Sequence, residues 1–380
     1  EDLKVAYARM QYWSGYDEVA IKTLKTVKTQ DARDLANTIR ADFGKSISAD
    51  YNNFFDTDRV HIQAANLSAQ FHIPDSTVTI NPTYRIANVS QFGFSFPTNM
   101  ALVSVSGRVG DFGSKWGPVW PFFALGGRKY SNLNEYDALF FNQFLEVNDT
   151  LFPGYEWNSI AWATGFKWIP QDLLKVYVSA NNQTVENIRS IRNKVLYSAA
   201  TFGFDYNFYP PAVFTLEASS GQFDDGNIRT GVANKINVNI FNGSGFSIGV
   251  NDYYFHDSKP EINRGYYNPR NYYQGMGFLA LTRSFWGCQW NISGQLGAFM
   301  ENPGGPGSVY EVDSYVERSF KKFGAVRAYY SQGHSYPNTE NGSGYGVKNF
   351  GITYSLHFDE TSNPGTVNTF NFVNNRGAAR

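Results

Sequence analysis

The chain has 380 residues, a formal net charge of −1 and 42% hydrophobic residues. This length suits two domains or one large β-barrel, and the near-neutral charge argues against a nucleic-acid-binding protein, which would need a concentrated basic face. The longest nearly apolar stretch, 118–125, is too short for a membrane-spanning helix, which needs about 20 residues. The 32 Phe, 25 Tyr and 8 Trp beside 35 Gly are typical of an antiparallel all-β protein. A single cysteine, Cys288, excludes an internal disulfide.

The first 44 residues differ from the rest, because their apolar residues recur at helical spacing. This spacing predicts helices over 3–16 and 17–27, joined at "SGYDE", and a third over 31–43 with Asp31 as its N-cap. A hairpin with small residues at its bend, then a Tyr and an acidic pair, resembles the tetratricopeptide repeat, a unit of about 34 residues. Such a repeat normally stacks on others, so this interpretation implies further repeats upstream. The alternative is an amphipathic helix that precedes a barrel.

From about residue 45 to residue 358, apolar and polar residues alternate, which predicts about sixteen strands. Most run about 9–15 residues, the length of a tilted strand that crosses a bilayer. The predicted strand starts are Lys45, Arg59, Thr77, Met100, Pro118, Asn158, Leu174, Lys194, Ala212, Ile228, Gly245, Tyr273, Cys288, Tyr310, Gly324 and Gly346.

The predicted connections alternate in length, as in bacterial outer-membrane barrels. The short ones lie at 73–76, 169–172, 209–212, 241–245, 285–287 and 320–324. The longer ones lie at 88–99, 131–157, 181–193, 256–272, 302–309 and 333–344. Two connections depart from this alternation of short and long. The segment 53–58 is short where a long loop is expected, and 110–117 is longer than the expected turn.

One face of each strand is apolar. In the last strand Phe350, Ile352 and Tyr354 share a face, whereas Gly351 and Thr353 share the other. Sixteen strands enclose a lumen too wide to fill with side chains. We therefore expect the apolar faces to point outward, towards lipid.

The last strand ends at Phe358, with Tyr354 and Gly351 upstream, which resembles the C-terminal signal recognised by the outer-membrane barrel assembly machinery. That signal usually ends a protein, whereas here residues 359–380 follow. The predicted organisation is a helical segment over 1–44, a barrel over 45–358 and a polar tail over 359–380. The tail is a periplasmic extension, a lumen plug or a flexible end.

The residues opposite the apolar faces are predicted to line a pore. Their charges are of both signs, whereas a simple ion pore would favour one sign. A neutral sugar chain can instead slide along Tyr faces and exchangeable hydrogen bonds. An alternative for Asp313, Glu317 and Arg327 is that they form cross-strand pairs that stiffen the wall. The predicted pore-lining residues are Arg85, Lys167, Lys175, Tyr177, Asp205, Glu217, Arg229, Lys235, Asp313, Tyr315, Glu317, Arg327 and Tyr329.

Enzyme chemistry has little support in the sequence. The five histidines are scattered without metal-ligand spacing, and the chain has no Gly-x-Ser-x-Gly nucleophile elbow. We therefore predict no catalytic residue, no metal site and no cofactor.

A tetratricopeptide array that runs into a barrel of about sixteen strands resembles the bacterial outer-membrane exopolysaccharide exporters, such as those of cellulose and of poly-N-acetylglucosamine. The segment "WSGYDEVAI" at 13–21 looks like the repeat that precedes such barrels. The segment "RGYYNPRNYYQ" at 264–274 looks like the one that leads into a late barrel strand. Its family-like residues are Tyr266, Tyr267, Asn268, Pro269 and Tyr272.

This resemblance implies a monomeric outer-membrane channel that guides an exopolysaccharide to the cell surface. The even number of predicted strands places both termini in the periplasm. The implied partners are the polysaccharide, outer-membrane lipid, the barrel assembly machinery, and periplasmic synthase or modifying enzymes held by the repeats. Nucleic acid is not among them. The alternative function is a general diffusion porin or a structural barrel, in which 131–157 would be a constricting loop. A third class is a soluble β-rich adhesin or carbohydrate-binding module.

Overall fold

In a computed structural model, three helices precede a closed barrel of sixteen antiparallel strands. The structure describes residues 1–13, 16–43, 45–73, 76–92, 94–110, 116–131, 156–171, 173–209, 212–240, 245–260, 265–320, 324–337 and 344–358. In this part of the chain, no helix has the length and apolar character needed to cross a membrane. The tail over 359–380 lies outside the described residues.

The N-terminal helices are α1 (Asp2–Trp13), α2 (Asp17–Leu24) and α3 (Gln30–Phe43). They bury one apolar cluster between them, formed by Val5, Ala8, Ala20, Leu24, Val27, Ala32, Leu35, Ala36 and Ile39. The predicted N-cap at Asp31 was wrong. The Thr29 hydroxyl accepts a hydrogen bond from the Ala32 amide at 3.3 Å, so Thr29 caps α3 and Asp31 lies in its first turn.

The barrel strands follow in chain order, each pairs with the next, and β1 pairs with β16 to close the sheet. We call the end where β1 begins and β16 finishes the terminal end, and the opposite end the distal end. The strands are β1 (Ser46–Asp56), β2 (His61–His72), β3 (Thr79–Gln91), β4 (Phe94–Ser106), β5 (Val119–Ser131), β6 (Glu156–Gln171), β7 (Leu174–Thr184), β8 (Leu196–Tyr209), β9 (Ala212–Phe223), β10 (Ile228–Asn239), β11 (Phe246–Asp257), β12 (Asn271–Phe285), β13 (Cys288–Asn302), β14 (Gly305–Phe320), β15 (Gly324–Pro337) and β16 (Tyr345–His357).

Two predicted strand starts were wrong. Strand β4 begins at Phe94 rather than Met100, and β14 begins at Gly305 rather than Tyr310. Both starts fall after segments predicted as long loops, but Pro97 in one of them pairs with Asn88 and Pro306 in the other pairs with Met300 within the ladder.

The expected long loops at 88–99 and 302–309 are therefore tight hairpins, and the alternation of loop lengths holds only in part. At the distal end, four connections remain long: those after β5, β7, β11 and β15.

The outer face of the barrel is apolar, as the alternation predicts. Phe350, Ile352 and Tyr354 are 45%, 49% and 41% exposed on the outside of β16. Aromatic rings gather near the terminal end, where Phe285 stacks on Trp290 at 5.3 Å between ring centroids and Trp286 is exposed. A band of exposed apolar side chains with interfacial aromatics is the surface that a bilayer requires of a transmembrane barrel.

Candidate functional site

All thirteen predicted pore-lining residues lie on the inner face, the side opposite the exposed apolar residues. Among the described residues, the structure brings three pairs of them into direct contact, one of which is the Arg327 guanidinium over the Tyr315 ring, 4.6 Å from its centroid. Arg327 forms an ion pair with Glu317 at 2.6 Å, and the Tyr177 hydroxyl donates to Glu217 at 2.6 Å. Lys167 lies 4.8 Å above the ring of Trp120, which was not in the predicted set. The inner wall is thus polar and aromatic, and many of its charges are satisfied within the wall.

Asp50 is a further inner-face residue that the sequence reasoning missed. Its carboxylate accepts hydrogen bonds from Thr353 at 2.8 Å, Asn66 at 3.1 Å and Tyr329 at 3.3 Å. It thereby connects β1 to β2, β15 and β16, on both sides of the seam where the barrel closes. The signal was present in the sequence, since Tyr51 faces outward and Asp50 must then face inward.

Several inner aromatic rings lie flat on the wall, because a neighbouring strand offers a glycine. A Cβ atom at Gly203 would overlap the ring of Tyr177, which crosses from β7 over β8 to reach Glu217 on β9. Among the described residues, five rings cross a glycine of the following strand and one crosses a glycine of the preceding strand. The ring–glycine pairs are Phe122–Gly165, Tyr177–Gly203, Tyr197–Gly221, Phe299–Gly307 and Tyr329–Gly351, and in the other direction Phe278–Gly249.

The connection between β7 and β8 folds into the barrel at its distal end. It contains a short helix, α4 (Ile188–Arg192), capped by the Asn187 side chain, which accepts from the Ser190 amide at 2.8 Å. Ile188 and Ile191 are fully buried against the inner wall. The wall residues of this cluster are Val60, Ile62, Ala64, Ala87, Val89, Phe96, Tyr130 and Trp157.

Polar contacts also fix this β7–β8 loop to the wall. Glu186 forms a two-pronged ion pair with Arg85 on β3, at 2.5 and 2.8 Å, and both side chains are largely buried. The Gln91 side chain accepts from the Ile188 amide at 3.3 Å. Because β3 lies four strands from β7, the loop reaches across part of the lumen. The apolar spacing of Val185, Ile188 and Ile191 was the sequence signal for this inward turn.

The family-like segment lies in the β11–β12 loop, at the same end. Tyr266 stacks on Phe223 at 4.0 Å between centroids, and its hydroxyl donates to Asp225 at 2.8 Å. Burial, together with the hydrogen bond to the Asp225 carboxylate, raises the pKa of the Tyr266 phenol above its usual range, so the hydroxyl remains a donor. Tyr267 donates to Glu301 at 2.6 Å and packs edge-on against Phe255.

The remaining residues of the segment also attach the β11–β12 loop to the barrel wall. Tyr272 stacks on Phe255 and on Phe299, and Asn268 donates to the Lys259 carbonyl at 3.3 Å. Pro269 is buried. The segment therefore holds the β11–β12 loop against the distal wall.

A buried ion pair supports this second loop. Arg229 is paired with Asp257 at 2.8 Å, and its guanidinium lies 4.3 Å from the Phe255 ring centroid. It also donates to the Tyr267 carbonyl. The Arg229 side chain is almost fully buried. Arg229 is therefore on the inner face, but its contacts hold the β11–β12 loop in place.

The two inward loops contact each other. The Asn187 side-chain amide donates to the Gly265 carbonyl at 2.5 Å, and a Cβ at Gly265 would collide with Arg189 and Ser190. In the described part of the chain, these two loops narrow the distal end. The segment 131–157, expected as the constricting loop of a porin, lies mostly outside the described residues.

At the terminal end, the helical segment docks on the β4–β5 connection. The Arg108 guanidinium lies 4.0 Å from the Tyr16 ring centroid and pairs with both carboxylate oxygens of Glu18. The Arg108 side chain is 8% exposed. Asp17 interacts electrostatically with Lys167 on the inner face, so the start of α2 lies at the mouth of the lumen.

A closed sixteen-stranded antiparallel sheet, with an apolar outer face and a polar inner face, defines this chain as a transmembrane β-barrel. Its sequence matches no protein-family model and no curated protein.

Solved structures share the fold. One described as "Bacterial polysaccharide outer membrane secretin" is 11% identical, with a TM-score of 0.62 over 84% of this chain and 99% of that chain. CdiB from Acinetobacter baumannii is 9% identical, with a TM-score of 0.53 over 82% of this chain and 60% of that chain. At these identities the similarity establishes the fold alone.

Proposed function

We propose that this chain is an outer-membrane channel that guides an exopolysaccharide from the periplasm to the cell surface. The observation that carries the proposal is the inner wall, where aromatic rings lie flat and many charged groups are already bonded to wall neighbours. Such a wall offers a sugar chain stacking surfaces and exchangeable hydrogen bonds without a deep, charge-selective well. The description of the first similar structure as a polysaccharide secretin supports the same class of cargo.

The position of the helices supports a directional channel. Both the helical segment and the last residues of β16 lie at the terminal end, which we assign to the periplasm. Helices α1–α3 are then the last, tetratricopeptide-like unit of a scaffold that binds the polymer, or its synthase and modifying enzymes. The barrel would be inserted by the assembly machinery through the segment that ends at Phe358, and would act as a monomer surrounded by outer-membrane lipid.

A general diffusion porin is the second candidate. The β7–β8 loop favours it, because a loop that folds inward and narrows the lumen is also how a pore restricts passive diffusion. The two functions differ in whether the lumen binds the molecules that pass through it. A porin passes small solutes without lasting contacts, whereas an exporter holds sugar chains repeatedly along its wall.

Single-channel conductance in a planar bilayer distinguishes the two functions. The protein is tested as wild type and as Arg85→Ala, which releases the β7–β8 loop, with soluble oligosaccharides of uncharged, cationic and anionic types. We expect a low conductance from the wild type, and a larger one from Arg85→Ala that one oligosaccharide class interrupts in discrete events. A steady conductance indifferent to all three classes would overturn the proposal and support the porin.

A further inference from the structure

We propose that one line of inner-face residues, climbing from β5 to β11, is the track along which the sugar chain binds. This inference rests on the proposed function and names the path within the lumen. Directly paired residues on neighbouring strands share one face, so the register defines the line. It runs through Trp120, Lys167, Tyr177, Gly203, Glu217, Ala233 and Tyr253. We call these residues the ramp.

The ramp climbs because barrel strands are tilted by about 35–45°. Trp120 is the second residue of β5 from the terminal end, whereas Tyr253 is the fifth residue of β11 from the distal end. The six steps between them, at about 4.8 Å each, give a path of roughly 29 Å along the wall. A chain that follows the ramp therefore advances through the barrel as it turns.

The foot of the ramp faces the docked helices. The Lys167 ammonium lies 4.8 Å above the Trp120 ring and interacts with Asp17 at the start of α2. The joint between Arg108 and Tyr16–Glu18 holds that helix in place. A polymer that leaves the helical segment thus first encounters Trp120.

The middle and top of the ramp present further rings. Tyr177 lies flat over Gly203 with its hydroxyl on Glu217. Tyr253 lies 5.6 Å from the Phe255 ring and 6.4 Å from the Tyr272 ring. These two rings belong to the cluster that anchors the β11–β12 loop, so the ramp ends beneath that loop.

The opposite side of the lumen is built differently. The line through Glu317, Arg327, Thr353, Asp50, Asn66 and Arg85 contains no aromatic residue. Its side chains bond to one another or to Glu186 of the β7–β8 loop, at 2.5–3.1 Å. That line stiffens the wall and supports the loop, whereas the ramp carries three aromatic rings, those of Trp120, Tyr177 and Tyr253, on the inner face.

The chemistry of the ramp selects an uncharged sugar chain. An aromatic face is electron-rich, so it stacks on the weakly positive C–H face of a pyranose ring. The one cation and the one anion of the ramp already interact with Trp120 and Tyr177, respectively, and this leaves the ramp without a net charge. We therefore expect uncharged β-linked oligosaccharides to bind better than cationic glucosamine or anionic uronate oligomers.

The test is isothermal titration calorimetry of the full chain in detergent with a β-linked gluco-hexasaccharide and with cationic glucosamine and anionic uronate oligomers of the same length. We expect Trp120→Ala and Tyr177→Ala each to weaken binding about tenfold, because each removes one stacked ring. Tyr177→Phe keeps the ring and should bind like the wild type. Tyr206→Ala on the outer face is the control that should leave binding unchanged. Tyr329→Ala, on the opposite inner wall, tests whether the track lies there instead, and should weaken binding less than either ramp variant. The heat-modifiable mobility of each variant on a gel verifies that its barrel is folded.

The outcomes separate the ramp from the wider proposal. Wild-type binding that survives unchanged in Trp120→Ala and Tyr177→Ala overturns the ramp but leaves an exporter. Binding lost only in Tyr329→Ala also overturns it, since the track would then run along the other wall. Absence of binding by the wild type to all three oligosaccharide classes overturns both the ramp and polysaccharide transport.

Discussion

At the scale of single residues, glycine determines where an inner ring can lie. The Tyr177 ring occupies the space that a side chain at position 203 would fill, and only this placement lets its hydroxyl reach Glu217 two strands away. The same arrangement recurs around the barrel. Glycine in these strands therefore leaves room for an aromatic ring from a neighbouring strand, in addition to its usual role in turns.

Replacing Gly203 with Ala should displace the Tyr177 ring. Overpacking of this kind destabilises a protein by about 1–3 kcal/mol, and the loss should appear as a lower midpoint of urea unfolding in lipid vesicles. Gly294→Ala is the matched control, since a Cβ there has no heavy atom within 4 Å. Equal stability of the two variants would contradict the packing argument.

A charge on the outer face should be costly. Phe204 faces outward near the middle of β8, so Phe204→Lys should destabilise the barrel by roughly 2–4 kcal/mol if the residue lies at the bilayer midplane. Thr201→Lys, on the inner face of the same strand, should have a much smaller effect. Reversible unfolding in vesicles, followed by tryptophan fluorescence, measures both. A reversed order of the two effects would invert the assignment of inside and outside.

At the scale of elements, the β7–β8 loop has the strongest anchors described here. Two buried isoleucines, a bidentate ion pair and a backbone hydrogen bond hold α4 on the wall. Its contact with the β11–β12 loop is smaller and centres on Asn187 and Gly265. Opening of the distal end should therefore begin between the two loops.

Breaking the Arg85–Glu186 pair should release the β7–β8 loop. Removing one partner of a buried pair costs about 3–5 kcal/mol, because the other charge is left uncompensated. Glu186→Ala should therefore raise single-channel conductance, as should Arg85→Ala. Lys129→Ala is the control, because the Lys129–Glu156 pair is half exposed on the outer face and such pairs contribute at most about 1 kcal/mol. Unchanged conductance in both loop variants would show that the pair does not hold the constriction.

At the scale of the whole molecule, one arginine joins the helical segment to the barrel. Arg108→Ala removes both the stacking on Tyr16 and the ion pair with Glu18, and should free α1–α3 to move relative to the mouth. Faster hydrogen exchange in 2–24, with unchanged exchange in the strands, is the expected result. Arg59→Ala, at the distal turn between β1 and β2, provides the control. If exchange in the helices stays the same, other contacts hold the segment.

Much of this architecture could be predicted from the sequence. Two-residue periodicity locates the strands, and the size of the sheet determines that the apolar faces point outward. The errors at Met100 and Tyr310 arose because the segments before them were predicted as long loops, whereas Pro97 and Pro306 in those segments pair within the ladder near its distal end. The inner-face residues follow from the same parity.

The place where an inward loop contacts the wall could not be predicted in this way. The Arg85–Glu186 pair joins residues separated by 101 positions, and no local spacing relates them. The contact depends on where the closed barrel places β3 relative to β7. Similarly, the ramp exists only once the register of seven strands is known. Local sequence patterns predict the strands of the wall. The contacts of the inward loops and the line of the ramp depend on how the barrel closes.

Closure of the barrel depends on the register between β1 and β16, where Asp50 lies. When a barrel forms, its first and last strands must find each other after the intervening strands have paired, and a one-residue slip would turn every side chain to the wrong face. The Asp50 carboxylate meets Thr353 and Tyr329 across that junction and Asn66 on its own side. The Thr353 and Tyr329 donors meet Asp50 only in this alignment of β1 against β16, whereas Asn66 reaches it in any alignment. A misaligned barrel would therefore leave the Asp50 carboxylate with one of its three donors inside the membrane.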